Sequence, residues 1–169
     1  PFAIIYRLVS RYVQQINLPL SRKTMEMNGD LFAIKEEVDG RRSPRAWVRK
    51  RKGEVIFVAL YSWHQTKEKT YMNIALPLPW SSMIGILELN QVGNGLELSS
   101  KKQRKHSDSG IYLAWNNRLL ALPIEETFYI HQVEDGTLRA QHHMWIFSVP
   151  FLKINYVIHH KDSEQIHVS

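Results

Sequence analysis

From residue 31 onward apolar side chains recur at every second position, and clusters of Gly, Asn, Asp or Pro interrupt them every eight to fifteen residues. A period of two is the pattern of strands with one buried face, and such frequent turn signals send each strand back beside the one before it. Strands are expected at 31–38, 46–51, 54–63, 71–76, 83–91, 95–100, 110–115, 125–133, 137–149 and 153–160. Lys52-Gly53, Gly93-Asn94 and Asp135-Gly136 mark hairpins between them. Two-residue turns at the first and last of these would set Trp47 opposite Val58, Val48 opposite Phe57, and His142 opposite Tyr129. The expected fold class is mainly β: an antiparallel up-and-down barrel or strongly curved sheet of about nine strands, which closes or nearly closes and so hides its edges.

Ahead of the strands the period is different. Phe2, Ile5, Leu8, Val9, Tyr12, Val13 and Ile16 recur at three- and four-residue steps, while Arg7, Arg11, Gln14 and Gln15 fall on the other side, which predicts one N-terminal amphipathic helix over 2–16. Asn17 and Pro19 end it. Its apolar face would cap the barrel or lie in a membrane interface. The expected organisation is a single domain, 1–169, with a barrel-like body at 31–160 and a loose polar tail at 161–169. A chain that begins with Pro1 rather than Met suggests excision from something larger.

Several chemistries drop out early. There is no cysteine, so disulfides, thiolate catalysis and cysteine-ligated zinc are excluded. No apolar run reaches the length of a membrane-spanning helix, and no secretory signal pattern is present. Ser81-Ser82 and Ser99-Ser100 lack the strand-turn-helix setting of a nucleophile elbow, and Gly93-Asn94-Gly95 opens no helix that could hold a phosphate. The carboxylate pairs Glu125-Glu126 and Glu134-Asp135 are neighbours in sequence, so members of a pair on a strand face apart. No catalytic residue and no cofactor is therefore assigned.

Charge and aromaticity carry more information. The net charge is +6, and Arg41, Arg42, Arg45, Arg49, Lys50, Arg51 and Lys52 form a run with no acid among them. These seven are candidates for contact with an anion or with lipid headgroups, and a second cluster follows at Lys101, Lys102, Arg104 and Lys105. Trp47, Phe57, Phe128, Ile130, Trp145 and Phe147 are expected to line the interior and to hold an apolar ligand there. Eight histidines raise a metal alternative, in which His131 and His142 share a face with Glu125 and wait for a third ligand from elsewhere. No metal site is assigned on that basis.

The order of short motifs is also familiar. Phe32-Ala33-Ile34, Asp39-Gly40-Arg41, Trp47-Val48-Arg49, the stretch from Gly95 to Ser100 with Gln103, and Leu122-Pro123 before the strand at 125–133 together resemble a bacterial domain family of unknown function. That family is fused to saccharopine-dehydrogenase-like proteins and to multi-pass membrane proteins. The resemblance covers about 31–160, and the chain departs from it at 151–156, where the family has a glycine-containing aromatic motif. It implies an architecture and a habit of fusion rather than residues with roles.

The leading functional expectation is a non-enzymatic barrel-like module that binds an apolar or amphipathic small molecule or docks on a membrane surface or fused membrane protein. It would be cytoplasmic, at the membrane face. The alternatives are a metal-dependent enzyme or accessory domain using His131 and His142, and, less favoured, nucleic-acid binding through the basic hairpin at 41–52.

Overall fold

The structure is a computed structural model that describes residues 26–67, 69–102 and 106–159. The expected helix at 2–16 and the tail at 161–169 lie outside the described residues. The body is what the alternation demands: mainly β, with a nine-strand antiparallel path curled into a half-barrel. The strands are β1 (Asn28–Ala33), β2 (Arg45–Arg51), β3 (Glu54–Gln65), β4 (Thr70–Leu78), β5 (Ser81–Val92), β6 (Gly95–Ser99), β7 (Gly110–Trp115), β8 (Arg118–Ala121), β9 (Ile124–Gln132), β10 (Leu138–Ile146) and β11 (Val149–Ile158). Their order is β1-β2-β3-β4-β5-β6-β9-β10-β11, with β7 and β8 off the path. The branch arises because β5 is long. Its second half pairs with β6 through Glu88↔Ser99 and its first half pairs with β7 through Gly85↔Ile111, end to end along one edge.

Three boundaries differ from the sequence reading. Residues 36–39 form one helical turn, Glu36–Asp39, closed by Gly40 at φ 77°, so β1 stops at Ala33 rather than running to 38. The short strand β8 is additional. The expected strand 137–149 is two strands, because the chain reverses at Phe147 and Ser148 and β11 starts at Val149 rather than 153.

Register decides which side chains are inside. Following direct partners across the sheet puts Trp47, Arg49, Phe57, Ala59, Tyr61, Ile74, Leu87, Leu98, Ile111, Phe128, Ala140, His142 and Tyr156 on one face. The fully or nearly buried apolar residues Phe57, Ala59, Leu87, Leu98, Ile111 and Ala140 all belong to it, so this is the concave, core face. Arg49 of β2 acts electrostatically on Tyr156 of β11, near the opposite end of the strand order, and such strands meet only across the hollow of a curled sheet. The interior is narrow at Gly85, where a Cβ would stand 3.2 Å from Glu126 Oε1 and 3.3 Å from Leu87 Cδ1. Glycine lets the β9 carboxylate approach β5 there.

Two turns shift registers that the sequence suggested. Lys52-Gly53 is a two-residue turn with both φ positive, 50° and 82°, as expected, but a bulge between Arg49 and Lys50 moves Trp47 opposite Ala59 and Val48 opposite Val58. At the other hairpin the Gly136 N–H donates to the Val133 carbonyl and the Val133 N–H to the Thr137 carbonyl. With Gly136 at φ 83° this is a three-residue turn, so His142 stands opposite Phe128 instead of Tyr129.

Among the described residues, the outer face is covered in one place. Residues 106–109 lie over β4, β5 and β6, where Tyr71, Glu88, Ser99 and Ser109 are buried. Lys69 Nζ meets Glu88 Oε1 at 2.6 Å, and the Ser107 hydroxyl donates to Ser109 Oγ at 2.9 Å. Leu87, 1% exposed at the middle of the concave face, is the side chain whose loss the core should feel most. Leu87→Ala is expected to cost about 2–5 kcal/mol in urea unfolding, while the exposed Leu119→Ala stays within about 0.5 kcal/mol.

Candidate functional site

Two regions bring chemistry-bearing side chains together: the concave face and one rim of the half-barrel. On the concave face Arg49 Cζ sits 4.0 Å from the Trp47 ring centroid and 5.1 Å from that of Phe57. The Tyr61 ring is 5.8 Å from Trp47. Across the hollow, His142 Nε2 and Glu126 Oε2 are 2.8 Å apart, with the two side chains 17% and 14% exposed, and Phe128 touches both His142 (5.4 Å) and Tyr156 (5.7 Å). Burial pushes the Tyr61 and Tyr156 hydroxyls above the usual phenol pKa, and the Arg49 guanidinium beside both opposes that shift. Half-buried polar groups from β2, β3, β9, β10 and β11 thus meet among aromatic rings.

The rim is built from turns. By register, the turns Lys52-Gly53, Pro79-Trp80, Asn116-Asn117 and Phe147-Ser148 all leave from the same ends of their strands. Each needs positive φ. Trp80 is at 57°, Asn116 and Asn117 at 46° and 59°, and Phe147 and Ser148 at 49° and 63°. Asn suits such positions, whereas bulky side chains there cost about 1 kcal/mol or more. Yet Trp80 is 91% exposed and Phe147 76%, so neither recovers that cost by burial within the described residues. Trp115, 49% exposed, Leu119 and Val149 add to the same rim, along with the exposed basic residues Arg51, Lys52 and Arg118. A shallow groove of about 470 Å³ runs between Ser81 and the 114–119 hairpin. The turns of the opposite rim carry Glu36, Glu37, Asp39, Glu134 and Asp135 together with Lys35, Arg41, Arg42 and Lys67, so both signs of charge are present there.

The expected interior set is partly assembled. Trp47, Phe57, Phe128 and Ile130 share the concave face. Trp145 does not, because the three-residue turn at 134–136 exchanges the two faces of β10. It lies on the outer face opposite Glu125, with Lys101 Nζ 3.6 Å from its ring and a shallow groove of about 370 Å³ alongside. Phe147 is a turn tip and lines no interior.

The basic run is dispersed in the same way. Arg41 is held by Asp39 at 2.5 Å and Lys50 by Asp30 at 3.0 Å; Arg42 lies over Trp63 at 4.8 Å. Arg49 enters the concave face, and Arg45, Arg51 and Lys52 are exposed, the last two at the rim. The metal alternative is corrected outright: His131, stacked on Tyr129 at 5.4 Å, and His142 project from opposite faces of the sheet, and Glu125 lies on the outer one. Among the described residues no three His, Asp or Glu side chains are grouped to hold a metal ion.

Sequence reasoning missed Glu126 although alternation from Phe128 already puts it inside, Tyr61 because the bulge at 49–50 sets its side, and Tyr156 because the turn at 147–148 sets that of β11. It missed the rim because Phe147-Ser148 lacks the Gly, Asn or Asp that marks a positive-φ turn. Asn116-Asn117 was a legible type I′ signal.

The chain is similar to the protein named "Uncharacterized membrane protein YndJ" of Bacillus subtilis (strain 168), with 42% identity over 162 residues that cover 95% of this chain. It spans 30% of the length of that relative. No family model matches, and no solved structure matches. Among the described residues no helix is long and apolar enough to cross a membrane.

The raised phenols have a consequence for alkaline stability. A tyrosine whose folded pKa exceeds its unfolded value stabilises fully below the usual value near 10.0, and loses that contribution as pH rises through the folded value. Replacing both Tyr61 and Tyr156 with Phe should flatten the fall in urea stability above about pH 10. An equally steep fall in the double variant would count against their burial.

Proposed function

We propose that this chain is a non-enzymatic β half-barrel module that docks on an anionic membrane surface by its aromatic and basic rim. One observation carries the reading. Two turn positions that favour Gly or Asn hold Trp80 and Phe147 instead, pointing into solvent. Strained, exposed aromatic side chains are costly to keep unless a partner buries them. Tryptophan is at home at the level of lipid headgroups, where an apolar ring with a polar N–H is satisfied on both counts. Arg51, Lys52 and Arg118 lie on the same rim, and each basic side chain close to an anionic leaflet contributes about 1 kcal/mol. The relative is named a membrane protein, which agrees with a chain that works against a bilayer as part of something longer.

Vesicle sedimentation tests this. The protein should bind vesicles of phosphatidylserine in phosphatidylcholine, bind pure phosphatidylcholine vesicles more weakly, and lose binding as salt rises. Trp80→Ala combined with Phe147→Asn should weaken binding at least tenfold. Because Asn suits positive φ, Phe147→Asn alone should raise stability by up to about 1 kcal/mol while lowering vesicle affinity. Unchanged binding in the double variant, or no binding to anionic vesicles at low salt, overturns the reading.

A further inference from the structure

Arg49 is in an unusual position for a cation. Its aliphatic and guanidinium faces are held between Trp47 and Phe57, and its Nε is sealed from solvent with no hydrogen-bond partner. Among the described residues it makes no ion pair with a carboxylate. Glu126, the nearest acid to act on the same tyrosines, is already engaged by His142 at 2.8 Å. A guanidinium presents five donors in a rigid plane, and leaving one of them desolvated and unpaired is costly. The aromatic walls fix the plane and the Tyr61 and Tyr156 hydroxyls take hydrogen bonds from its edge, which leaves Nε as the donor without a partner.

The groups around that edge are of one kind. Tyr61 stands next to Trp47, and Tyr156 reaches in from β11 beside Phe128. Both phenols stay protonated at neutral pH, since burial raises their pKa, and so can donate. Beyond them, apart from the His142–Glu126 pair, the concave face carries the apolar side chains Phe57, Phe128 and Ile130. We infer that Arg49, Tyr61 and Tyr156 form a binding site for the oxyanion headgroup, carboxylate or phosphate, of an amphipathic molecule whose apolar part lies along the concave face. The oxyanion would accept from the guanidinium edge and from both hydroxyls, and charge-assisted bonds of this kind are the stronger class. The Glu126 carboxylate sets the direction of entry, since an anion is favoured on the Arg49 side and repelled on the His142 side. This site is separate from the rim, so it stands or falls independently of membrane docking.

The probes are decanoate, decyl phosphate, decanol and inorganic phosphate, each below any micelle-forming concentration, followed by calorimetry and thermal unfolding. Decanoate or decyl phosphate should bind and raise the melting temperature, decanol should bind at least tenfold more weakly, and Arg49→Met should remove that discrimination while Arg49→Lys keeps part of it. Binding of inorganic phosphate alone, equal to that of decyl phosphate, would overturn the amphipathic part. In the unmodified protein, the Arg49 Nε–H resonance should move downfield on titration with decanoate, a readout that does not depend on any variant folding. Decanol binding as well as decanoate, or an Arg49 resonance that does not move at saturation, overturns the site.

Discussion

A strand contributes to the inside of the half-barrel only at every second residue, so the length of each turn decides which half of the following strand faces inward. The interior of this protein rests on that parity. One additional residue at 134–136 sends His142 into the hollow and Trp145 out of it, and one bulge beside Arg49 brings Phe57 and Tyr61 to the same side as Trp47 and Arg49. Once those registers are set, the curl brings β2 toward β11, and Arg49 comes within reach of Tyr156. The aromatic packing, the His142–Glu126 pair and the narrow passage at Gly85 all follow from where the sidedness was fixed.

The amount legible beforehand follows the same physics. Alternation and glycine-bearing turns are local signals, so most strands, their antiparallel sense and the hairpins at Lys52-Gly53 and Gly93-Asn94 could be read directly, whereas the β5–β7 and β6–β9 pairings, which depart from an up-and-down succession, could not. Whether Asp135-Gly136 belongs to a two- or three-residue turn is decided by a hydrogen bond between Val133 and Thr137, which leaves no mark in composition. That single ambiguity inverted the faces of β10 and produced the false pairing of His131 with His142. The turn at Phe147-Ser148 was invisible for the opposite reason: its residues argue against a turn. Local preference and observed backbone conflict there, and such conflicts concentrate at surfaces selected for something other than stability.

Basic residues close in sequence likewise did not become one patch. Alternation sends neighbours to opposite faces, short loops pair Arg41 with Asp39, and β1 offers Asp30 to Lys50. What remains for outside contact is divided among Arg49 in the hollow, Arg51 with Lys52 at the rim, and Arg45 exposed at the other end of β2. A run that looks like a single electrostatic field is thereby separated into places with different chemistry, one among aromatic rings and the others in solvent.

The branching of β5 carries a further consequence, for the way the chain reaches this state. Strands β1 to β6 join nearest neighbours, as do β9 to β11, so each group can zip from its own turns with little loop entropy lost. The seam between β6 and β9 is different: the chain must first make the β7–β8 excursion, and then Ser100 and Glu126 must meet. There the Glu126 N–H donates to Ser100 Oγ at 2.7 Å and the Ser100 N–H to the Glu126 carbonyl at 2.9 Å. Two locally formed ribbons are thus joined late through one short strand of five residues, and the cooperativity of the whole sheet is concentrated in that seam.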